Sequence, residues 1–191
     1  MLFLVKRFVP PYNAFMPLEK TVARLLMDRH KTLAIAESCT GGLLTHRLTN
    51  IPGSSKFLEA SVVAYSNRAK QRLLNIPSRM LRQYGAVSGQ TATAMARSIR
   101  EIHKTDLGIG ITGIAGPTGA TTTKPAGLVY IALSVPAKGE ARQRRGSPKA
   151  ARRWRPAETL CLQCRFKGTR AHIKRRASTQ ALRLLKKCLS C

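Results

Sequence analysis

The sequence predicts an α/β layered domain, with three αβα layers around a mostly parallel or mixed sheet. Three observations carry that prediction. Short apolar runs that suit buried strands alternate with stretches of helical spacing across residues 17–135. One such run, residues 32–36, passes through a turn of small residues, 37–42, straight into a helical pattern, which is the usual opening of a βα unit. The chain of 191 residues fits one domain and can bury a hydrophobic core without disulfides or metals to hold it.

Taken in order, residues 17–30 place Leu18, Val22, Leu25 and Leu26 at helical spacing, with Pro17 near the first turn. Residues 32–36 read as a buried strand. Residues 43–48 resume helical spacing and stop near Asn50, Pro52 and Gly53. Residues 57–65 read as a second strand centred on Val62, Val63 and Ala64. Ser66 and Asn67 can cap a helix running through Lys70 to Leu74, and residues 77–84 form a further short helix. Ser88 can cap a longer helix over 90–103, with Ala92, Met95, Ala96 and Ile99 on one face. Residues 106–112 read as a strand, 113–119 as a glycine-rich loop and 127–135 as a strong strand.

The pattern then breaks. Residues 136–158 are basic and short of large apolar side chains, and read as a disordered insertion or long loop. Residues 160–166 form a final strand. Thr169 can cap a terminal helix whose inward face holds Ile173, Ala177, Ala181, Leu184 and Leu185. No internal repeat is evident.

Charge is the unusual property. Lys and Arg number 34 against 8 Asp and Glu, a net of +26. Of these, 17 basic and 2 acidic residues fall in 138–191. Such an excess attracts nucleic acid, anionic membrane or phosphorylated small molecules, and is silent about fold. The five cysteines are Cys39, Cys161, Cys164, Cys188 and Cys191. With no convincing secretory signal, reduced thiols in a cytoplasmic protein are expected. Two C-x-x-C pairs, at Cys161 and Cys188, lack the glycine of a zinc knuckle and read as incidental thiols, with no metal site expected. The apolar N-terminal run is broken by Lys6 and Arg7 and closed by Pro10 and Pro11, too short for a signal or a membrane span. Residues 1–16 read as an extension, and no membrane association is expected.

Three constellations can carry chemistry. In Glu37-Ser38-Cys39-Thr40-Gly41-Gly42, Ser38 sits where a strand end meets a helix N-terminus. Free backbone N–H groups there can hold an oxyanion, and Gly41 and Gly42 allow close approach of a ligand. The bland alternative is a helix cap at Ser38 or Thr40. Next, Tyr65 at a strand end and Lys70 in the following helical turn can face one crevice, where a desolvated lysine acts as a base; a surface lysine is the plain alternative. Last, the loop Thr112-Gly113-Ile114-Ala115-Gly116-Pro117 follows a strand and suits a phosphate or flat ring. It fits neither a P-loop nor a dinucleotide fingerprint, and can equally be a plain connector.

Together the motifs point further. Ala36-Glu-Ser-Cys-Thr-Gly-Gly42, Val63-Ala-Tyr-Ser-Asn67 with Lys70, Gly85-Ala-Val-Ser88, and Thr112-Gly-Ile-Ala-Gly-Pro117 with Gly127-Leu-Val-Tyr-Ile131 occur in the order and spacing of one family. The chain resembles the CinA C-terminal domain family, the stand-alone nicotinamide mononucleotide deamidases, over residues 17–135. The likeness resumes at Arg165-Phe166-Lys167-Gly168-Thr169-Arg170 and the terminal helix. The domain so defined runs from 17 to 191, interrupted by the basic stretch at about 136–160.

The resemblance implies hydrolysis of the carboxamide of nicotinamide mononucleotide to nicotinate mononucleotide and ammonia, by a cofactor-free and metal-free amidohydrolase. It implies Ser38 as nucleophile, Lys70 as general base and Tyr65 as proton relay. It also implies a nucleotide pocket from Thr40, Gly41, Gly42, Thr112, Gly113 and Gly116, with Arg170 near the phosphate. By the same likeness a homodimer is expected. Cys39 is the competing nucleophile beside Ser38. Two rival readings stay open: a pocket of this family without activity, and a basic protein that binds nucleic acid through 142–155 and 167–187.

Overall fold

The computed structural model describes residues 16–136 and 158–190. The N-terminal extension and most of the basic stretch, 137–157, lie outside the described residues. The chain runs α1 (Leu18–Asp28), β1 (Leu33–Glu37), α2 (Leu43–Thr49), a short 3-10 turn (Ser54–Lys56), β2 (Leu58–Val63), α3 (Asn67–Leu74), α4 (Ser78–Tyr84), α5 (Gly89–Ile102), β3 (Leu107–Gly113), β4 (Leu128–Val135), β5 (Glu158–Arg165) and α6 (Arg170–Ser190). The final strand therefore begins two residues earlier than its apolar residues alone indicate.

The sheet is mixed. Its order is β2-β1-β3-β4-β5. β1 pairs in parallel with β2 and with β3, while β4 is antiparallel to β3 and β5 antiparallel to β4. The β4–β5 register is unbroken from Leu128↔Arg165 to Val135↔Glu158, so the two strands dock fully despite the basic stretch between them.

The alternation of side chains along β1 shows how the layers arise. Leu33 and Ile35 point to one face and join Ile109, Ile111, Ile131 and Leu133 against α1, α2 and α6. Ala34 and Ala36 point the other way, against Met95 and Ile99 of α5 and Leu74 of α3. The inward face of α6, Ile173, Ala177, Ala181, Leu184 and Leu185, is buried as its spacing predicts. Each Leu or Ile so buried stabilises by about 2 kcal/mol.

The α5 side of the sheet is made of small residues for a steric reason. A Cβ on Gly108 would sit 2.2 Å from the Ala96 carbonyl oxygen, and one on Gly110 would sit 2.4 Å from that of Ala92. The two glycines let α5 lie almost on the backbone of β3.

The capping residues read from the sequence hold their helices. The Ser66 hydroxyl accepts from the Ala69 N–H at 3.0 Å, and that of Ser88 accepts from Thr91 at 3.1 Å. The Thr169 hydroxyl accepts from His172 N–H at 3.4 Å. Among the described residues no helix is long and apolar enough to cross a membrane.

Candidate active site

The three parallel strands β2, β1 and β3 lie side by side and end together. Ser38 follows β1 directly, Tyr65 and Lys70 follow β2, and the loop at Gly113 follows β3. The carboxyl ends of adjacent parallel strands are where open α/β sheets place a crevice. The start of α6 arrives at the same edge, because Arg165 at the end of β5 pairs with Leu128, next to the partner of Gly113.

At the centre, Lys70 Nζ donates to the Ser38 hydroxyl at 3.0 Å. It also donates to the carbonyls of Ala64 at 2.9 Å and Tyr65 at 3.3 Å. The Ser66 cap fixes the register of α3, which turns Lys70 and Leu74 inward together. Lys70 is left 1 % exposed and Ser38 7 %. Burial lowers the Lys70 pKa from its ordinary value, because the charged amine has lost its water. Desolvation is thus the cause of the shift, as expected of a lysine that faces a crevice.

The count of donors matters. A neutral amine has two N–H groups and one lone pair. With both hydrogens on the Ala64 and Tyr65 carbonyls, the lone pair is left for the Ser38 hydroxyl. The same contact then runs from Ser38 to Lys70.

The turn that carries Ser38 is built around Glu37, whose role the sequence reading missed. Its buried carboxylate accepts from the N–H groups of Leu44 at 3.2 Å and Thr45 at 2.9 Å, and from the Thr45 hydroxyl at 2.7 Å. It thus caps α2 in place of the residue at the N-cap position, Gly42, which has φ +87° and no side chain. An acidic residue just before a small-residue turn and a helix is the signal that identifies such a cap. Gly41 N–H is taken by the Ser38 carbonyl at 3.1 Å, so it is spent within the turn. The Thr40 hydroxyl is buried and has no hydrogen-bond partner.

Tyr65 is placed differently from a relay. Its side chain is 59 % exposed, and its hydroxyl accepts from Arg170 Nη2 at 2.8 Å. Only its backbone carbonyl reaches Lys70, because the chain turns sharply between β2 and α3. Thr112 is also held internally: its hydroxyl donates to the Ala86 carbonyl at 2.7 Å, tying the end of β3 to the loop before α5. Gly113 has room for no side chain, since a Cβ there would sit 2.6 Å from the Leu128 carbonyl oxygen. Arg170 joins the motifs, donating to the Gly116 carbonyl at 2.8 Å as well as to Tyr65.

Cys39 sits next to Ser38 with its thiol buried and its pKa pushed up to about 12, chiefly by burial and further by Glu37. Such a thiol stays protonated and is a poor nucleophile. Among the described residues no group of His, Cys, Asp and Glu is arranged to hold a metal. A groove of about 430 Å³ runs along the outer face of α6 between Phe166 and Arg183, and contains none of the Ser38 cluster. The site is thus defined by contacts among side chains and not by the depth of that hollow.

Known proteins resemble this chain in sequence and in fold. The model of the CinA C-terminal domain matches residues 16–153. A "CinA-like protein" of Syntrophus aciditrophicus is 48% identical over 174 residues, 91% of this chain but 37% of its own length. A "putative competence-damage inducible protein" of Desulforudis audaxviator is 42% identical over 172 residues, 90% of this chain and again 37% of its own length. The chain therefore spans little more than a third of these relatives. Among solved structures, the competence damage-inducible protein A of Klebsiella pneumoniae superposes with a TM-score of 0.77 at 29% identity, covering 91% of this chain and 95% of that one. A competence/damage inducible protein of Agrobacterium tumefaciens gives 0.76 at 30% identity, covering 93% and 99%. With the family's model matching residues 16–153 of the 191, and relatives and solved structures matching about nine-tenths of the chain, the chain belongs to the CinA C-terminal domain family.

Proposed function

We propose that the chain is an amidohydrolase that converts nicotinamide mononucleotide to nicotinate mononucleotide and ammonia, with Ser38 as nucleophile and Lys70 as its base. The observation that carries this reading is the buried 3.0 Å contact between Lys70 Nζ and the Ser38 hydroxyl. A primary carboxamide is a poor electrophile, so its hydrolysis needs an activated hydroxyl and a stabilised oxyanion.

The neutral amine of Lys70 takes the Ser38 proton directly as Oγ attacks the carboxamide carbon. Proton transfer needs no relay through Tyr65, whose hydroxyl is engaged with Arg170. The N–H groups at Thr40 and Gly42 are the donors left in the turn for the oxyanion, since that of Gly41 is spent on Ser38. Lys70, now an ammonium, returns a proton to the leaving nitrogen, and ammonia departs as the C–N bond breaks. Water then attacks the Ser38 ester, giving its proton to Lys70. As the ester C–O bond breaks, that proton returns to Ser38 Oγ, and the acid so formed gives its own proton to solvent and leaves as the carboxylate.

Ammonia release from nicotinamide mononucleotide in metal-free buffer tests the assignment. The wild-type protein is expected to turn over and Ser38→Ala to lose activity by about 10⁴-fold or more. Near wild-type turnover in Ser38→Ala would remove Ser38 from the mechanism. No ammonia from folded wild-type protein would leave a pocket of this family without this activity.

A further inference from the structure

Along its 21 residues α6 carries seven Lys or Arg and no acid. Its apolar face is spent on the core, which leaves the cations to the outward face. There Arg175, Arg176 and Arg183 line the groove of about 430 Å³ together with His172, and all four are exposed. Their spacing puts them on one stripe of the helix.

This stripe is not the crevice side of α6. Lys174 stands two residues from both His172 and Arg176, so at 3.6 residues per turn it points about 160° away round the axis. It approaches the Ser38 turn instead, where a Cβ built on Gly41 would sit 3.4 Å from its Nζ. Arg170, two residues before His172, is held at Gly116 and Tyr65 on that other side.

Among the described residues none of the four groove cations forms an ion pair. Glu19 comes near enough to interact with Arg175, but its carboxylate is paired with Arg47 at 3.0 Å. Arg176 donates to the Lys167 carbonyl at 3.0 Å, a neutral partner that fixes the guanidinium without cancelling its charge. Like charges one turn apart destabilise a helix, and an anion that spans them relieves that cost.

The other lining residues give the shape of that anion. From His172 to Arg183 the stripe runs about 16 Å at 1.5 Å per residue, the advance of about four or five stacked nucleotides. The half-buried Phe166 packs on the core and also lines one end of the groove. Its ring can stack with an unpaired base, whereas paired bases are already stacked on each other. Thr179 and Gln180, half-buried along the groove, offer donors to phosphate and sugar oxygens. An anionic bilayer fits less well, since it asks for an exposed apolar face that α6 has buried.

We propose that this outer face of α6 binds single-stranded nucleic acid, with the arginines on successive phosphates and Phe166 stacked against a base. The site is separate from the Ser38 crevice and stands whether or not that crevice hydrolyses an amide.

Fluorescence anisotropy of the full chain with a labelled single strand of about 12 nucleotides tests the site. Arg176→Gln with Arg183→Gln is expected to weaken binding about tenfold or more. It should also lower the slope of log K against log salt by about 1.4, for two phosphate contacts at about 0.7 each. Arg79→Gln with Arg82→Gln removes the same charge from the exposed side of α4, across the sheet from α6. Screening should hold its effect to about twofold or less. Phe166→Leu keeps the apolar packing and is expected to cost about fivefold or more through the lost stack. Wild-type protein that leaves the strand unbound, or a groove pair that binds as well as the α4 pair, overturns the proposal. So does polyglutamate that competes as well as the oligonucleotide at equal charge, since the face would then take any polyanion. Wild-type affinity in Phe166→Leu would overturn the stacked single strand.

Discussion

At the scale of single residues, Ser38 and Cys39 are neighbours with opposite prospects. Ser38 Oγ touches the buried amine of Lys70, whereas the Cys39 thiol is walled in and held protonated, with a pKa near 12. Cys39→Ala is therefore expected to keep ammonia release within about threefold and to lose only about 1 kcal/mol of stability, for the small void left behind. Alkylation by iodoacetamide should likewise spare activity in the folded protein. Rapid inactivation, matched one-to-one by modification of Cys39, would show the thiol to be reactive. The two residues that meet at the centre of the candidate site were legible by chain position: a serine after β1 and a lysine in the helix after β2. The approach of Lys174 to Gly41 was not, because it spans 133 positions of chain and spacing within α6 does not reveal it. Tyr65 was legible as a pocket residue but not in its partner, since the choice between Lys70 and Arg170 is made by a backbone turn.

At the scale of elements, α2 depends on a cap from outside itself. Glu37 belongs to β1, yet its carboxylate takes three donors from Leu44 and Thr45. Strand end, Ser38 turn and helix start are thereby locked into one unit. Glu37→Ala would leave two buried N–H groups unpaired at the start of a seven-residue helix. A loss of about 2 kcal/mol in urea unfolding is expected, together with a fall in turnover as the Ser38 turn loosens. Glu37→Gln, which keeps an acceptor oxygen, should recover part of both. Stability that is unchanged in Glu37→Ala would mean that α2 is held by its packing of Leu44 and Leu48 alone. The elements themselves were largely readable, because strands, caps and the inward face of α6 follow local periodicity. The direction of β4 and β5 was not, since nothing in a short apolar run states whether its neighbour runs alongside or against it.

At the scale of the whole molecule, the proposed chemistry and the stability of the fold meet in Lys70. The fold buries its amine and lowers its pKa below the ordinary 10.5. Between the lowered value and 10.5 the unfolded chain binds a proton on Lys70 that the folded chain does not, so folding stability gains with rising pH across that window. Below the lowered pKa both states are protonated and the cost of burying the charge is fully present; above 10.5 both are neutral and it vanishes. The net charge of +26 adds its own pH dependence through the other titrating groups, but a variant at one site shares that background. Urea unfolding of wild type and Lys70→Met across this range should therefore differ in slope, with wild type gaining on the variant as pH rises. Parallel slopes would mean that Lys70 titrates normally in the folded chain. The rate of ammonia release should climb through the same pKa, because only the neutral amine accepts the Ser38 proton. An acid limb that coincides with the stability slope ties the base to its burial; a limb at some other pH would assign proton transfer to a different group.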